Sequence, residues 1–277
     1  MNDQASTLRA RREAVQSIAE RDPERPVLVI GSGKGGVGKS IVAVMASAAL
    51  ARTGRRVLLV DGAQNLGNLH VLLGVRPPLT PSALLEDSVV PDQLLIEVAP
   101  ALWLLPADSG AESVHRLAAT DRARLHRRLT GVYRDFDVVV VDAAAGLDGA
   151  VRCVAMHATR LIVVTIPEPA ALTDAYALMK IVHGQMPRLP FDLLVNRTQH
   201  LDEGPTAFDR LSTATKRFLG RDLCYAGAIP EDGAMRALTR DPRALLATGD
   251  NVAQQAVQQL LPTWVDAWVP DLLERSA

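Results

Sequence analysis

The fold of this chain is decided by the stretch Gly31-Ser-Gly-Lys-Gly-Gly-Val-Gly-Lys-Ser40. From Gly33 onward it fits the pattern G-x-x-x-x-G-K-[ST], and it lies between a β-branched run and a helical run, the context that this pattern requires. Glycines let the backbone N–H groups approach an anion, and the N-terminus of the following helix adds its positive end. The stretch therefore predicts a phosphate-binding loop, with Lys39 on the β- and γ-phosphates and the Ser40 hydroxyl on Mg²⁺. The nucleotide-binding residues predicted for this loop are Gly33, Lys34, Gly35, Gly36, Val37, Gly38, Lys39, Ser40 and Ile41.

Short apolar runs alternate with helical segments on both sides of this loop. The candidate strands are Val27–Ile30, Arg56–Val60, Leu102–Leu105, Asp137–Val141, Leu161–Ile166, Phe191–Val195 and Tyr225–Ile229. The candidate helices lie near residues 40–52, 120–131, 148–158, 170–185, 205–219 and 250–268. Nearly continuous apolar strands suit a parallel sheet that is covered on both faces. The alternation predicts one doubly wound α/β domain with a mostly parallel sheet over residues 27–277, preceded by an exposed helical extension over residues 1–26.

The composition is that of an ordinary globular protein. Of the 277 residues 48% are hydrophobic and 22% charged, and the formal net charge of −1 offers no overall attraction for nucleic acid or anionic lipid. No apolar run reaches the roughly 18 residues of a membrane span, and the polar N-terminus is unlike a signal peptide. We therefore expect a cytoplasmic protein. Cys153 and Cys224 have no metal-binding spacing, and we expect both to be small buried side chains.

The string Lys34-Gly-Gly-Val-Gly-Lys-Ser40 resembles the deviant Walker A motif of the MinD/ParA family of P-loop ATPases. In that family the early lysine, here Lys34, reaches across a dimer interface to the nucleotide of the partner subunit. The resemblance implies a homodimer that closes across ATP, with ATP or ADP and Mg²⁺ as cofactors and with Lys34 and Lys39 as catalytic residues. The alternative is that Lys34 is simply solvated.

Two later segments resemble the parts of that family that face the phosphates and the partner. The run Val138-Val-Val-Val-Asp142 resembles the Walker B strand, which implies that Asp142 holds Mg²⁺ through water. Gly146, in the following loop, would then approach the γ-phosphate. Pro167-Glu168-Pro169 resembles the start of the segment that faces the partner subunit, which places Glu168 at the nucleotide.

Two further segments resemble the adenine end of the family's site. Leu194-Val-Asn-Arg197 resembles the strand end that reads the adenine edge, and Ile229-Pro-Glu-Asp232 resembles the loop that flanks the base. The resemblance implies base or ribose contacts for Asn196, Arg197, Pro230 and Asp232.

The chain departs from the family after the second strand, where the family usually carries a D-x-D-x-G motif. The residues here are Asp61-Gly-Ala-Gln-Asn-Leu-Gly-Asn68, so Asp61 remains for the Mg²⁺ shell but Ala63 stands at the second acidic position. In the family that aspartate orients the attacking water, and a methyl group neither donates nor accepts a hydrogen bond. We therefore expect slow or partner-dependent hydrolysis. The alternative is that Asp148 or a rearranged loop supplies the carboxylate.

The N-terminal run Asp3-Gln-Ala-Ser-Thr-Leu-Arg9 resembles the DQAxxLR motif of the FlhG family, also called YlxH and related to FleN. Proteins of that family regulate flagellar number and placement, and this segment docks on the signal-recognition-type GTPase FlhF and stimulates its GTP hydrolysis. The resemblance implies partner contacts by Asp3, Gln4, Ala5, Leu8 and Arg9. Two alternatives are a frayed polar helix without a partner and a DNA-binding arm. Acidic residues between the arginines and the absence of a basic surplus argue against the DNA arm.

The C-terminal segment carries an apolar stripe at helical spacing, formed by Val257, Leu260, Leu261, Trp264 and Trp268. Members of the family often end in an amphipathic helix that binds membrane. The polar face here lacks the basic residues that attract anionic lipid, and we expect Pro262 and Pro270 to interrupt the helix. Core packing of both tryptophans is the favoured interpretation, and docking at the inner face of the cell membrane is the alternative.

Together these features imply a nucleotide-switched regulator of flagellar assembly that acts through protein contacts. Its implied partners are a second copy across ATP, an FlhF-type GTPase and flagellar switch components; DNA is not among them. One alternative is a positioning ATPase like MinD or ParA, which cycles by its own hydrolysis at membrane or DNA. Another is a purely structural nucleotide binder.

Overall fold

The structure is a computed structural model that describes residues 25–63, 67–107, 118–144, 146–154, 158–238, 240–247, 249 and 251–269. The N-terminal motif residues Asp3, Gln4, Ala5, Leu8 and Arg9 lie outside the described residues, as do residues 64–66 of the departing motif and Pro270.

An eight-stranded sheet lies at the centre of the part of the chain that the structure describes. Its strands are β1 (Val27–Gly31), β2 (Val57–Gly62), β3 (Ile96–Ala99), β4 (Leu102–Leu105), β5 (Val138–Ala143), β6 (Arg160–Thr165), β7 (Phe191–Thr198) and β8 (Cys224–Pro230). The order across the sheet is β3-β4-β2-β5-β1-β6-β7-β8, and every neighbouring pair is parallel except β3 with β4. The prediction of a doubly wound, mostly parallel α/β sheet is confirmed. Only β3 was not predicted, because this short edge strand is half-exposed and lacks a continuous apolar run.

The α-helices of the described residues are α1 (Lys39–Arg52), α2 (Leu69–Leu72), α3 (Ala119–Gly131), α4 (Leu147–Val154), α5 (Pro169–Gln185), α6 (Glu203–Leu219), α7 (Met235–Leu238), α8 (Pro242–Leu246) and α9 (Val252–Trp268). They cover both faces of the sheet. Successive strand residues point to opposite faces. Leu28 and Ile30 therefore join the core beneath α1 and α9, whereas Val27 and Val29 join the core beneath α4, α5 and α6.

The C-terminal helix α9 is docked on the sheet by its two tryptophans. Trp264 and Trp268 are 1% and 4% exposed, and their rings stack with centroids 4.6 Å apart. The indole Nε1 of Trp264 donates a hydrogen bond to the carbonyl oxygen of Ala226 on β8 at 2.8 Å. The favoured prediction of core packing is confirmed for this helix.

Two sequence predictions about this region and the cysteines were wrong. Helix α9 continues through Pro262, because this proline lies on the solvent side while the buried tryptophans hold the following turn against the sheet. Cys153 is buried as expected, but Cys224 is exposed, since it begins β8 at the edge of the sheet. Within the residues that the structure describes, no helix is long and apolar enough to cross a membrane.

Candidate nucleotide-binding site

The predicted site residues converge at the carboxyl ends of the parallel strands, where open α/β sheets bind their ligands. The loop after β1 leads into α1, and Asp61 and Asp142 end the neighbouring strands β2 and β5. The two aspartates face each other in the strand register. Strand alternation predicted each of these elements, but only the strand order brings the two carboxylates to the mouth of the same loop.

The phosphate loop has an open rim. Gly36 and Gly38 have φ angles of 80° and 87°, a left-handed conformation that strains any residue with a side chain. A Cβ atom on Gly35 or Gly36 would meet no atom within 4 Å, so these glycines are not required by packing. Their bare backbone suits the close approach of an anion. This geometry fits the phosphates of a nucleotide.

The base of the same loop is tightly packed against the rest of the protein. A Cβ atom on Gly33 would overlap the carbonyl oxygen of Asp174 in α5, and one on Gly38 would overlap the Nδ2 atom of Asn196. The buried Asn196 side chain donates a hydrogen bond from Nδ2 to the carbonyl oxygen of Val37 at 2.8 Å. Sequence reasoning missed this support of the loop by β7, and no local signal predicts it. The adenine contact assigned to Asn196 remains a prediction.

Lys39 begins α1 and lies beside the Walker B-like strand. Its Nζ atom is 2.7 Å from Oδ1 of Asp142, and the two side chains are only 11% and 7% exposed. The Ser40 hydroxyl follows on the same helix turn, and Ile41 packs its side chain against the core. The ammonium group and the carboxylate thus lie together at the loop, as phosphate and metal binding require.

Asp61 is held by the chain that follows it. Its carboxylate accepts hydrogen bonds from the backbone N–H groups of Ala63 and Leu69, each at 3.1 Å. A Cβ atom on Gly67 would lie 2.7 Å from Oδ2 of Asp61, so the chain closes tightly around this group. Burial raises the pKa of Asp61, the two N–H donors oppose that rise, and Asp142 adds to it. A bound cation would offset the cost of the buried negative charge.

The residues fit Mg²⁺ bound together with a nucleotide rather than a metal held by protein alone. Magnesium is usually bound by one or two carboxylates and by phosphate oxygens. Ser40, Asp61 and Asp142 supply a hydroxyl and two carboxylates, and the described residues contain no cluster of three or more His, Cys, Asp and Glu side chains able to hold a metal ion. The Ala63 backbone contributes an N–H group, and its side chain is a methyl group.

Lys34 forms an ion pair with Glu168 at the rim of the loop. Its Nζ atom is 3.0 Å from Oε2 of Glu168, and the two side chains are 39% and 57% exposed. Glu168 precedes the first turn of α5. The ion pair brings together two residues predicted to work at the dimer interface, although they are separated by more than a hundred positions in the sequence.

The predicted adenine residues lie on the loops after β7 and β8. Arg197 adopts a φ of 59° and donates hydrogen bonds from Nε and Nη2 to Oε1 of Glu231, at 3.2 and 2.8 Å. Pro230 pairs with the end of β7, and the Asp232 carboxylate accepts hydrogen bonds from Ala234 and Ala253. Sequence reasoning missed Glu231, although it stands between two predicted site residues.

Gly146 and Asp148 lie in the loop after β5 and at the start of α4. Gly146 has a φ of 84°, which favours glycine, and Asp148 is exposed in the first turn of α4. Asp148 therefore follows Asp142 closely in sequence, and among the described residues the hydrogen bonds found for the Asp61 carboxylate come from Ala63 and Leu69 rather than from Asp148.

Comparison with known proteins supports the same interpretation. Residues 26–189 match the family described as AAA domain. Antiactivator FleN of Pseudomonas aeruginosa is 34% identical over 242 residues, which are 86% of this chain and 86% of that protein. Flagellum site-determining protein YlxH of Helicobacter pylori is 28% identical, over 94% of this chain and 89% of that protein. A chain of the MinC:MinD cell division protein complex of Aquifex aeolicus superimposes with a TM-score of 0.67 at 25% identity, covering 87% of this chain and 95% of that chain.

Proposed function

This chain belongs to the MinD/ParA-type P-loop ATPases and is one of their FlhG-like members, and from that premise we propose that it is an ATP-dependent regulator of flagellar assembly. The observation that carries the proposal is its similarity, over 86% of both chains, to the antiactivator FleN. Similarity over most of the chain to the flagellum site-determining protein YlxH supports the same process. Contacts with flagellar switch components are part of this proposal.

Nucleotide binding is assigned to the loop between β1 and α1. Gly35 and the left-handed Gly36 leave the rim open to phosphates, and Lys39 supplies the positive charge. Ser40, Asp61 and Asp142 would hold Mg²⁺, partly through water. When bound, Mg²⁺ neutralises the charge that develops on the phosphates. Asn196, Arg197, Pro230 and Asp232 would contact the base and ribose.

The ATP-bound protein is proposed to pair with a second copy through Lys34. An ion pair as exposed as that of Lys34 with Glu168 contributes about 0–1 kcal/mol, so little free energy opposes the release of the lysine. The freed ammonium group would then reach the nucleotide of the partner subunit. ATP shifts the equilibrium only if it binds the paired state more tightly than the single subunit.

Hydrolysis is proposed to be slow. The Ala63 methyl group cannot orient a water molecule, and loss of such a group commonly lowers the rate by about 10²–10⁴-fold. Slow hydrolysis would make the ATP-bound dimer long-lived. A partner protein would then be needed to stimulate hydrolysis and return the subunits to the unpaired state. Such a protein acts as a switch rather than as a self-cycling positioning ATPase.

The N-terminal segment is proposed to dock on an FlhF-type GTPase and to stimulate GTP hydrolysis. Gln4 would orient water or bridge phosphates at the GTPase site, Leu8 would be the apolar anchor, and Asp3, Ala5 and Arg9 would complete the contact. The division of the chain at residue 26 into this segment and the nucleotide-binding domain is part of the proposal.

The test is the GTP hydrolysis rate of purified FlhF-type GTPase with the full chain and with a variant that lacks residues 1–20. We expect the full chain to accelerate hydrolysis, and the truncated chain to bind ATP equally well without accelerating it. Gln4→Ala in the full chain isolates the glutamine, and Gln16→Ala serves as the matched control in the same segment. Equal stimulation by the full and truncated chains would overturn the proposal.

A further inference from the structure

An arginine precedes or begins each of six neighbouring parallel strands, at the end of the sheet opposite to the nucleotide site. In sheet order from β2 to β8 these residues are Arg56, Arg134, Arg25, Arg160, Arg188 and Arg221, which we call the basic edge. Parallel strands enter the sheet at one edge, and a spacing of about 4.8 Å spreads the six positions over about 24 Å. Six guanidinium groups thus gather at one end of the fold, in a chain whose formal net charge is −1.

Four of these arginines are held in place by their surroundings. Arg25 lies 3.7 Å from the Asp137 carboxylate, and Arg160 binds Asp192 at 2.8 Å. The guanidinium group of Arg56 stands over Trp103 and Phe136. Arg221 stands over Phe191 and donates a hydrogen bond to the carbonyl oxygen of Leu189. Two carboxylates and three aromatic rings therefore orient these four arginines before any partner binds.

Arg134 and Arg188 are different, since both are exposed and neither forms an ion pair with another described residue. They lie in the short connections that lead into β5 and β7. Four carboxylates lie among these arginines: Asp137 and Asp192 pair with Arg25 and Arg160, Asp222 lies 3.4 Å from Lys216, and Asp135 is exposed beside Arg134. The positive excess of the edge therefore rests on the arginines without an ion pair, above all on Arg134 and Arg188.

We propose that the basic edge is a docking surface for an acidic face of the protein that the N-terminal segment engages. This inference rests on the proposed function, because it assigns a second contact to the same partner. Guanidinium groups recognise carboxylates through paired hydrogen bonds, and groups that are already oriented lose little freedom on binding.

The position of Arg25 links the edge to the N-terminal segment. Arg25 is both a member of the edge and the residue at which chain 1–24 joins the fold. Residues 9 and 25 can be separated by at most about 50 Å when the chain between them is fully extended. A partner held by residues 3–9 is therefore kept within reach of the edge, and the link raises its local concentration there.

The basic edge also remains accessible in the proposed ATP-bound dimer, because it lies away from the nucleotide site. Lys34, Glu168 and the phosphate loop lie at the carboxyl ends of the strands, whereas the basic edge lies at their amino ends. A dimer that closes across its nucleotides would bury the first surface and leave one basic edge free on each subunit.

A protein fits this surface better than DNA or a bilayer does. Asp135 and Asp222 are exposed among the arginines, which disfavours a continuous phosphate backbone that needs several uninterrupted contacts. The aromatic residues of the edge lie beneath the guanidinium groups, so they do not offer the apolar face that interfacial membrane binding requires.

The test is the affinity of the full chain for the FlhF-type GTPase at about 50 and 300 mM salt. The test variant is Arg134→Glu with Arg188→Glu, and the control is Lys180→Glu with Arg210→Glu, which reverses the same charge on exposed positions of α5 and α6. We expect the test variant to lose about tenfold in affinity at low salt and less at high salt, and the control to stay within about twofold. The neutral pair Arg134→Ala with Arg188→Ala should show a smaller loss and guards against misfolding.

Failure of this inference and failure of the proposed function give different results. Unchanged affinity of the Arg134→Glu, Arg188→Glu variant would overturn this inference and leave the proposed function intact. Absence of wild-type binding would overturn both. The same variants are titrated with a 20-base-pair duplex and with phosphatidylglycerol vesicles, and binding of either that depends on Arg134 and Arg188 would assign the edge to that ligand and overturn the protein assignment.

Discussion

At the scale of single residues, Ala63 has the largest predicted effect on chemistry. Its backbone N–H group donates a hydrogen bond to the Asp61 carboxylate, and this bond does not depend on which side chain stands at position 63. The missing property is the side-chain carboxylate alone, so one substitution can restore it without rebuilding the turn. The change in ATP turnover on restoring this carboxylate distinguishes a slowly hydrolysing switch from an ATPase that cycles by its own hydrolysis.

Ala63→Asp should raise ATP turnover by about 10²-fold, because it supplies the group that orients the attacking water. Release of phosphate under saturating ATP and Mg²⁺ measures the effect. Ala63→Asn is the matched control, since it has nearly the same size but no basic carboxylate. Equal rates for wild type and Ala63→Asp would assign the role to another group, with Asp148→Ala as the next variant.

Asn196 supports the phosphate loop from below, and Asn196→Ala should weaken both the fold and ATP binding. The change leaves the buried Val37 carbonyl oxygen without its donor, which costs about 1–3 kcal/mol. We expect a lower unfolding free energy in urea and an ATP affinity reduced by about tenfold.

Asn196→Asp provides the matched comparison for that prediction. It keeps the size of the side chain but turns a carboxylate toward the Val37 carbonyl oxygen, so it should be at least as damaging as alanine. Tolerance of aspartate would mean that Asn196 fills space and that its hydrogen bond contributes little.

At the scale of elements, α9 closes one face of the sheet rather than standing apart from it. Trp264 packs in the core with Val257 and donates a hydrogen bond to β8, and the Trp268 ring stacks on it. The apolar stripe is therefore already covered by this protein. A helix that used the same stripe to enter a bilayer would have to expose the core beneath it.

Trp264→Ala should lower the unfolding free energy by about 3–5 kcal/mol, because it removes a fully buried ring. Trp264→Phe keeps most of the packing and loses the hydrogen bond to Ala226, so a smaller loss of about 1–2 kcal/mol is expected. Chemical denaturation followed by circular dichroism gives both values. A stable Trp264→Ala protein that no longer binds lipid vesicles would instead favour membrane docking by α9.

At the scale of the whole molecule, the fold places two charged surfaces at opposite ends of the sheet. The carboxyl ends of the strands carry the phosphate loop and the carboxylates of Asp61 and Asp142, and the amino ends carry the basic edge. This separation lets a nucleotide-dependent dimer and a partner protein use opposite ends of one subunit.

Light scattering on a sizing column should give twice the monomer mass after incubation with ATP and Mg²⁺, with intact ATP in the eluted peak. Lys34→Ala should bind ATP and remain at the monomer mass, because the phosphate loop keeps Lys39 but loses the group that crosses the interface. Lys180→Ala, an exposed lysine away from the loop, is the control. A wild-type monomer that carries ADP would contradict both the stable dimer and the slow hydrolysis.

The sequence alone determined the parts of this protein that follow from local rules. The glycine spacing of residues 31–40 predicted the phosphate loop, and continuous apolar runs predicted the parallel strands, because both patterns act between near neighbours along the chain. Pro262 shows the limit of such rules, since tertiary packing of Trp264 outweighed a local helix-breaking preference.

Only the tertiary structure decided which distant residues meet. Asn196 supports Val37 across 159 positions, and Lys34 meets Glu168 across 134 positions, so no periodicity in the sequence marks either pair. The basic edge arises in the same way, because scattered single arginines become neighbours only when the strand order places their strands side by side. Net charge and local pattern are insensitive to such arrangements, whereas electrostatic recognition depends on where the charges lie in space.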